Sequence, residues 1–391
     1  MDQELILRES DPSDAEKLSQ FFSQIPLQSL IDIKIQREVD FFSLYRRFQM
    51  HFQTFLLEET TSDLNKEILS KEILGTASFI HNKCKVGHDT LNITNACDLR
   101  IAPQRKAILN WSKFFLPKIK ELATSKRTDH FVTTVNLENN QVINAFIRTK
   151  QKKAQKPLYE LIKKFNLVSV HGFYPLTYKH NHDVEVRFAN KYDIPKLTHY
   201  LEKKLIKTDL VPDELLKSVE NYVNNSFVYS FRKFVIALDS ENNIIGCCYP
   251  LSSSLLQNYF PQTYNQQAHN FRQFLKVGSW LGFTRKLTKP FSRTQKDQTL
   301  QFQFLHFLFF KHPDVLKEMI YFSYAHSQQN EFVVYTYEQA EYKYRPPVGT
   351  VNAETTYGLY EILAPEQIDD PEFKSLKHKL KNKLWLDGHL F

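Results

Sequence analysis

The chain has 391 residues, more than one ordinary core accommodates, so two or three domains are expected. With 42% hydrophobic and 14% aromatic residues it stands far from the weakly hydrophobic, highly charged compositions that stay disordered. A formal charge of +8 points to acidic or phosphorylated partners rather than to basic ones.

Residues 5–18 hold a short alternating apolar run, a polar turn and a helical pattern, with Asp14 placed as an N-cap. The same outline returns at residues 184–197, where Arg8, Asp14 and Leu18 fall on Arg187, Asp193 and Leu197 at a constant offset of 179 residues. Solenoid repeats recur within about 20 to 50 residues, so this period indicates two domains of one type. The expected division is 1–180 and 181–391.

In the first copy, residues 37–50 carry a partly helical apolar face. Residues 52–59 and 73–80 then read as antiparallel strands around a polar connection. A strand at 96–102 ends at Pro103, and Trp111, Phe114, Phe115, Ile119 and Leu122 mark an amphipathic helix over 107–123. A strand at 131–136, a helix at 139–148, a basic helical stretch and a strand at 167–174 complete the copy. In the second copy, residues 234–239 and 244–249 form a hairpin, because Asn242 and Asn243 tolerate the positive φ of a tight turn. Residues 252–298 form an insertion long enough to carry structure of its own. Strands at 300–309 and 332–337 flank a helix at 313–325, which implies a parallel pair joined by a crossover. A strand at 355–363 follows. The fold class expected is α/β with a mixed sheet.

The longest apolar run, Phe302 to Phe310, is broken by Gln303 and His306 and falls short of the roughly 20 residues that cross a bilayer. No basic and apolar leader opens the sequence, so a cytoplasmic protein is expected. Cys84, Cys97, Cys247 and Cys248 have no metal-ligand spacing, and reduced thiols and no metal site are expected. Basic residues cluster at 148–156, 272–296 and 374–383. No nucleic-acid motif accompanies them, and solvated faces are the expected reading. The insertion interleaves Tyr259, Phe260, Tyr264, Phe271, Phe274, Trp280 and Phe283 with basic residues, a pattern read first as a packing face.

The element order, with Arg8, Asp14 and Ala15 at the opening and Gly75 and Gly246 in the third strands, resembles the GCN5-related N-acetyltransferase superfamily. The whole chain is similar to a tandem of two such domains, the second degenerate and bearing the 252–298 insertion. Leu99 to Leu109 resembles the superfamily's fourth strand and its acetyl-CoA loop of the form Q/R-x-x-G-x-G/A, with Gln104 in the first position and Ala107 and Leu109 where glycines are usual. Asn139, Val142 and Phe146 fit the spacing of its N-x-x-A-x-x-x-Y, with Phe in place of the Tyr that commonly protonates the leaving thiolate.

The resemblance implies an acyl-CoA-dependent N-acetyltransferase acting on an amine-bearing small molecule or peptide. Acetyl-CoA or another acyl-CoA would be held by Leu99, Ile101, Gln104, Arg105, Lys106, Ala107, Ile108, Leu109 and Asn139. A helix N-terminus and basic side chains would receive the pyrophosphate. Asp98 and Glu58 are the candidate general bases, with Glu59 and His171 weighed beside them. The alternative is a tandem that has lost catalysis and serves as an acyl-CoA sensor or interaction scaffold. The sequence sets neither the acceptor nor an oligomeric state.

Overall fold

A computed structural model of the chain describes residues 2–62, 68–123, 125, 128–139, 143–144, 157–177, 179–292, 299–328, 330–368 and 370–386. Its strands are β1 (Asp2–Glu9), β2 (Ile31–Gln36), β3 (His51–Ser62), β4 (Ile68–Val86), β5 (Asp89–Ile101), β6 (His130–Asn136), β7 (Leu158–Phe173), β8 (Glu185–Phe188), β9 (Thr208–Asp209), β10 (Val211–Pro212), β11 (Val235–Leu238), β12 (Ile244–Ser252), β13 (Asn258–Tyr264), β14 (Phe302–Phe310), β15 (Phe332–Glu338), β16 (Thr350–Leu363) and β17 (Lys383–Leu384). The main helices are α1 (Ala15–Gln24), α2 (Ser43–Arg47), α3 (Arg105–Ala123), α4 (Ile194–Leu205), α5 (Gln266–Trp280) and α6 (Pro313–His326).

One 13-stranded sheet runs through the molecule in the order β1-β3-β4-β5-β6-β16-β7-β15-β14-β12-β11-β8, with β10 attached to β4. From either end inward the sequence of elements is the same: four antiparallel strands, then a parallel neighbour, β6 beside β5 and β15 beside β14. The central pair is exchanged. The last strand of the first half, β7, lies on β15 of the second, and β16 lies on β6 of the first. β7 and β16 then pair with each other, from Thr350↔Phe173 to Leu363↔Leu158.

The repeated opening folds as two matching corners. Arg8 bonds both oxygens of Asp14 at 2.7 Å, and Arg187 bonds those of Asp193 at 2.6 and 2.9 Å. Neither carboxylate caps the helix that follows it, contrary to the N-cap expectation. Each instead accepts the backbone N–H three residues earlier, at Asp11 and Asn190. The Arg and Asp of the repeat thus tie the end of the first strand to the start of the first helix.

On one face of the first half, α3 packs Ala107, Trp111, Phe115 and Ile119 against Phe55, Leu57 and Phe79. On the other, Leu18 and Phe22 of α1 meet Tyr45, Leu56 and Ile80. In the second half α6 lies over Val235, Ala237 and Cys248, and α4 over Ile236 and Tyr249. Gly246 is needed for that approach, since a Cβ there would stand 2.6 Å from Val315 Cγ1. At Gly75 the nearest side-chain atom would be at 3.6 Å, ordinary contact.

Most expected elements appear, including the hairpin turn with Asn242 at φ 61. Two further expectations are corrected. The helical reading of 37–50 shrinks to α2, and the preceding strand β2 went unread because its partner is β13 in the insertion. Residues 158–166 are strand rather than a basic helix, because β7 continues through the centre of the sheet. Most of the helix expected at 139–148 and all of the basic cluster at 148–156 lie outside the described residues. The insertion packs Tyr259, Phe271 and Phe283 against both halves, while Trp280 remains 84% exposed. Among the described residues no helix is long and apolar enough to cross a membrane.

Candidate active site

The sheet opens in the middle of the first half. β5 follows β4 in register until the pairing jumps from Ser78↔Cys97 to Thr76↔Arg100, leaving Asp98 and Leu99 opposite Ala77 as a bulge. Asp98 sits there at φ 54, a left-handed conformation that Asp tolerates better than most residues. A bulge bends its strand and releases backbone groups from the ladder. On its other edge β5 pairs with β6 only from Ile93↔His130 to Ala96↔Thr133. Beyond that point β6 stays with β16, as far as Asn136↔Tyr357. Residues 97–101 and 134–136 therefore diverge as the arms of a V.

The mouth of the V meets the start of α3. Ala102 donates to the Leu74 carbonyl at 2.8 Å, turning the chain into the helix at Arg105. The first N–H groups of any helix lack intrahelical partners and carry partial positive charge. Arg105 is exposed beside them, and Lys106 pairs with buried Glu59. Gln104 donates to Glu72 at 2.7 Å while its Oε1 is buried without a partner. Ala107 is fully buried in the core under α3, so its Cβ does not narrow the mouth. Ile108 is 56% exposed on the same turn, and Leu99 and Ile101 point to the α3 core. Leu109 is helical, and its side chain is outside the described residues, as are Val142 and Phe146. Asn139 donates to the Gln28 carbonyl at 3.1 Å, and Asn136 to Ser29 at 3.2 Å. These bonds hold the loop before β2 over the end of β6.

Both candidate bases are engaged. Asp98 receives Arg37 at 2.7 Å and the Tyr45 hydroxyl. Glu58 receives Arg8 at 2.6 and 2.8 Å. Around Asp98 burial raises the Cys97 thiol and the Tyr45 hydroxyl well above their usual ranges and pushes Arg100 down to about 10. Arg37 and Arg100 are 5% and 8% exposed, and each has one buried nitrogen without a partner. His171 lies on β7, away from the V, where burial beside Phe332 pushes it down to about 3. The stretch from Leu99 to Leu109 singled out in the sequence runs from the end of β5 into the first turns of α3. Sequence reasoning missed Arg37, which directly follows β2, and Tyr45 on α2, which carry no motif.

The second half repeats the geometry. β14 passes from Cys247↔Phe309 to Tyr249↔His306, with Phe307 at φ 51 in the place of Asp98. Its parallel pairing with β15 stops at Phe304↔Val334, and α6 begins at Pro313. This V is filled. Trp385 packs on Phe307 and Phe309 with ring centroids 4.9 and 6.2 Å apart, Leu384 N–H donates to Glu338, and β17 is anchored on β9. Of two equivalent openings, the C-terminal segment occupies one.

No family model matches the sequence, and no curated protein matches it. Solved structures do. N-myristoyltransferase from Saccharomyces cerevisiae with bound myristoyl-CoA is similar at 8% identity and a TM-score of 0.53, over 98% of this chain and 85% of that one. A second structure of that protein gives 8% identity, 0.51, 98% and 89%. A GCN5-related N-acetyltransferase from Sphaerobacter thermophilus is matched more loosely, at 10% identity and a TM-score of 0.47 over 92% and 96% of the two chains. The chain has the mixed α/β fold expected from its sequence, shared with the N-myristoyltransferase structures.

Proposed function

We propose that the chain is an acyl-CoA-dependent N-acyltransferase, acetyl-CoA being the simplest donor, with the acyl-CoA held by the first half. The observation that carries this reading is the contrast between two equivalent openings. The V between β5 and β6 ends at a helix N-terminus flanked by Arg105, whereas residues 383–385 pack against the strands of its counterpart. The fit is supported by the free strand edges of residues 97–101, by the inward turn of Ala107 and by the orphaned Gln104 Oε1.

The donor supplies an activated thioester. Residues 97–101 offer a strand edge to an extended arm, and Arg105 with the first turn of α3 receives phosphates. The bulge at Asp98 and Leu99 frees backbone groups where a carbonyl needs N–H donors. In the transfer the amine nitrogen bonds the acyl carbon, the carbon–sulfur bond breaks, and the nitrogen's proton passes to solvent while the thiolate is protonated. The chain's contribution is chiefly positioning and electrostatics.

A second reading, an acyl-CoA sensor or scaffold, draws on the ion pairs that engage Asp98 and Glu58. Thiol release from acetyl-CoA in the presence of a panel of amines separates the two. Amine-dependent thiol release supports the enzyme; saturable acyl-CoA binding without release supports the sensor.

A further inference from the structure

The face of the sheet that carries Asn95 opens beside the apex of the V into a cleft. Ile93, Val132 and Leu359 form its floor, and Met50, Leu210 and Trp385 stand around it. The floor residues are 4–5% exposed, and most of the lining is apolar. Gln49, Asn82, Thr134 and Tyr222 add polar groups to it, and two further polar residues stand out. Asn95 is 6% exposed, and its Oδ1 is buried without a hydrogen-bond partner. Glu214, exposed at the rim, is the one acidic or basic residue of the lining among the described residues.

A buried carbonyl oxygen left unpaired carries a desolvation cost, which a ligand N–H or O–H recovers. Apolar walls with a few convergent polar groups are the usual make-up of a small-molecule site. Asn95 precedes Ala96, the last residue of β5 paired with β6, so its amide stands where the two strands part. The carboxylate at the rim favours a cation, and the apolar interior favours that cation's neutral form. An ammonium entering past Glu214 therefore sheds its proton to water and reaches Asn95 as a free amine.

We infer that this cleft binds the acyl acceptor, and that the acceptor is a primary amine on an apolar body, with Asn95 accepting one N–H and Glu214 drawing in the protonated form. The assignment rests on the acyltransferase reading for the transfer itself. It also accounts for a site whose carboxylates are tied to arginines, since a desolvated amine needs no strong base. The binding step stands alone and is tested alone.

The test uses the full chain with n-hexylamine, n-hexanoate and 1,6-diaminohexane, each with and without saturating coenzyme A. Thermal unfolding and tryptophan emission are read, with Trp385→Phe identifying the signal from the cleft. Hexylamine is expected to raise the unfolding midpoint saturably, with hexanoate and diaminohexane binding at least about tenfold more weakly. Asn95→Leu and Glu214→Gln are each expected to weaken hexylamine about tenfold, the scale of one hydrogen bond or charge contact. Glu214 is at the rim, so its variant keeps the unliganded midpoint even if Asn95→Leu does not fold. Hexylamine binding no tighter than hexanoate, unchanged binding by Glu214→Gln, or no saturable binding under either condition overturns the inference. Amine binding without acyl-CoA binding sinks the acyltransferase reading and leaves this site standing.

Discussion

Phe165 stacks on Tyr357 across the β7/β16 pair, with ring centroids 5.7 Å apart and planes 12° from parallel. The two residues are paired in register and hold equivalent places, Phe165 opposite Glu338 at the end of β15 and Tyr357 opposite Asn136 at the end of β6. They mark the centre about which the two halves are related. Because each half takes its central strand from the other, neither closes its own sheet. A single cooperative unfolding transition is predicted for the whole chain. Phe165→Ala, a fully buried truncation, should cost about 3–5 kcal/mol and lower hydrogen-exchange protection in β6 and β15 alike. Two separate calorimetric transitions would show that the halves fold independently.

The Arg8–Asp14 pair makes stability depend on acid. Hydrogen bonds from Arg8 hold the Asp14 carboxyl below the usual carboxylate range. A depressed carboxylate contributes stability above its unfolded pKa of roughly 4 and loses it as pH falls through the folded value. Asp14→Asn should destabilise the chain by about 1.5–3 kcal/mol near neutrality and flatten stability below pH of about 4. Urea unfolding of both proteins across that range measures it; parallel curves would remove Asp14 from the account.

Asp98 is predicted to be structural rather than a base. It is the carboxylate that meets Arg37, with Arg100 buried nearby. Asp98→Asn leaves buried guanidinium charge uncompensated and should cost about 3–5 kcal/mol. A variant that kept its unfolding midpoint and lost only turnover would instead make Asp98 the base.

These residues also show what the sequence could disclose. The Arg8 and Arg187 corners, α3 and the Asn242 hairpin are local: each rests on contacts within a few residues or on one turn, and periodicity or spacing reveals them. The exchange of β7 with β16 and the pairing of β2 with β13 join segments about 180 to 230 residues apart, and the strands' own patterns do not name their partners. The bulges at Asp98 and Phe307 leave no common residue type. Arg37 and Tyr45 reach Asp98 from elements whose sequence gives only an apolar face, so the site's motif was legible and its surroundings were not.

The filled second opening should respond to pH through Lys383. Burial pushes this lysine down to about 7, against the favourable pull of Glu338 and Glu341. A lysine lowered on folding binds fewer protons in the seated state than in the released one. Seating of the segment is therefore weakest below about 7 and strengthens as pH rises toward the ordinary lysine value of roughly 10.4. Trp385 emission and protease resistance of the segment should rise together over that window, and Lys383→Met should abolish the dependence. Resistance that falls with rising pH would contradict the sign.

Calorimetric titration with acetyl-CoA and longer acyl-CoAs tests the central claim most directly. One saturable site per chain is predicted, weakened about 10- to 100-fold in Arg105→Glu with the unfolding midpoint unchanged, as expected for a lost charge-assisted contact. No binding at millimolar acyl-CoA, two sites per chain, or full affinity in Arg105→Glu would contradict a donor site in the first half.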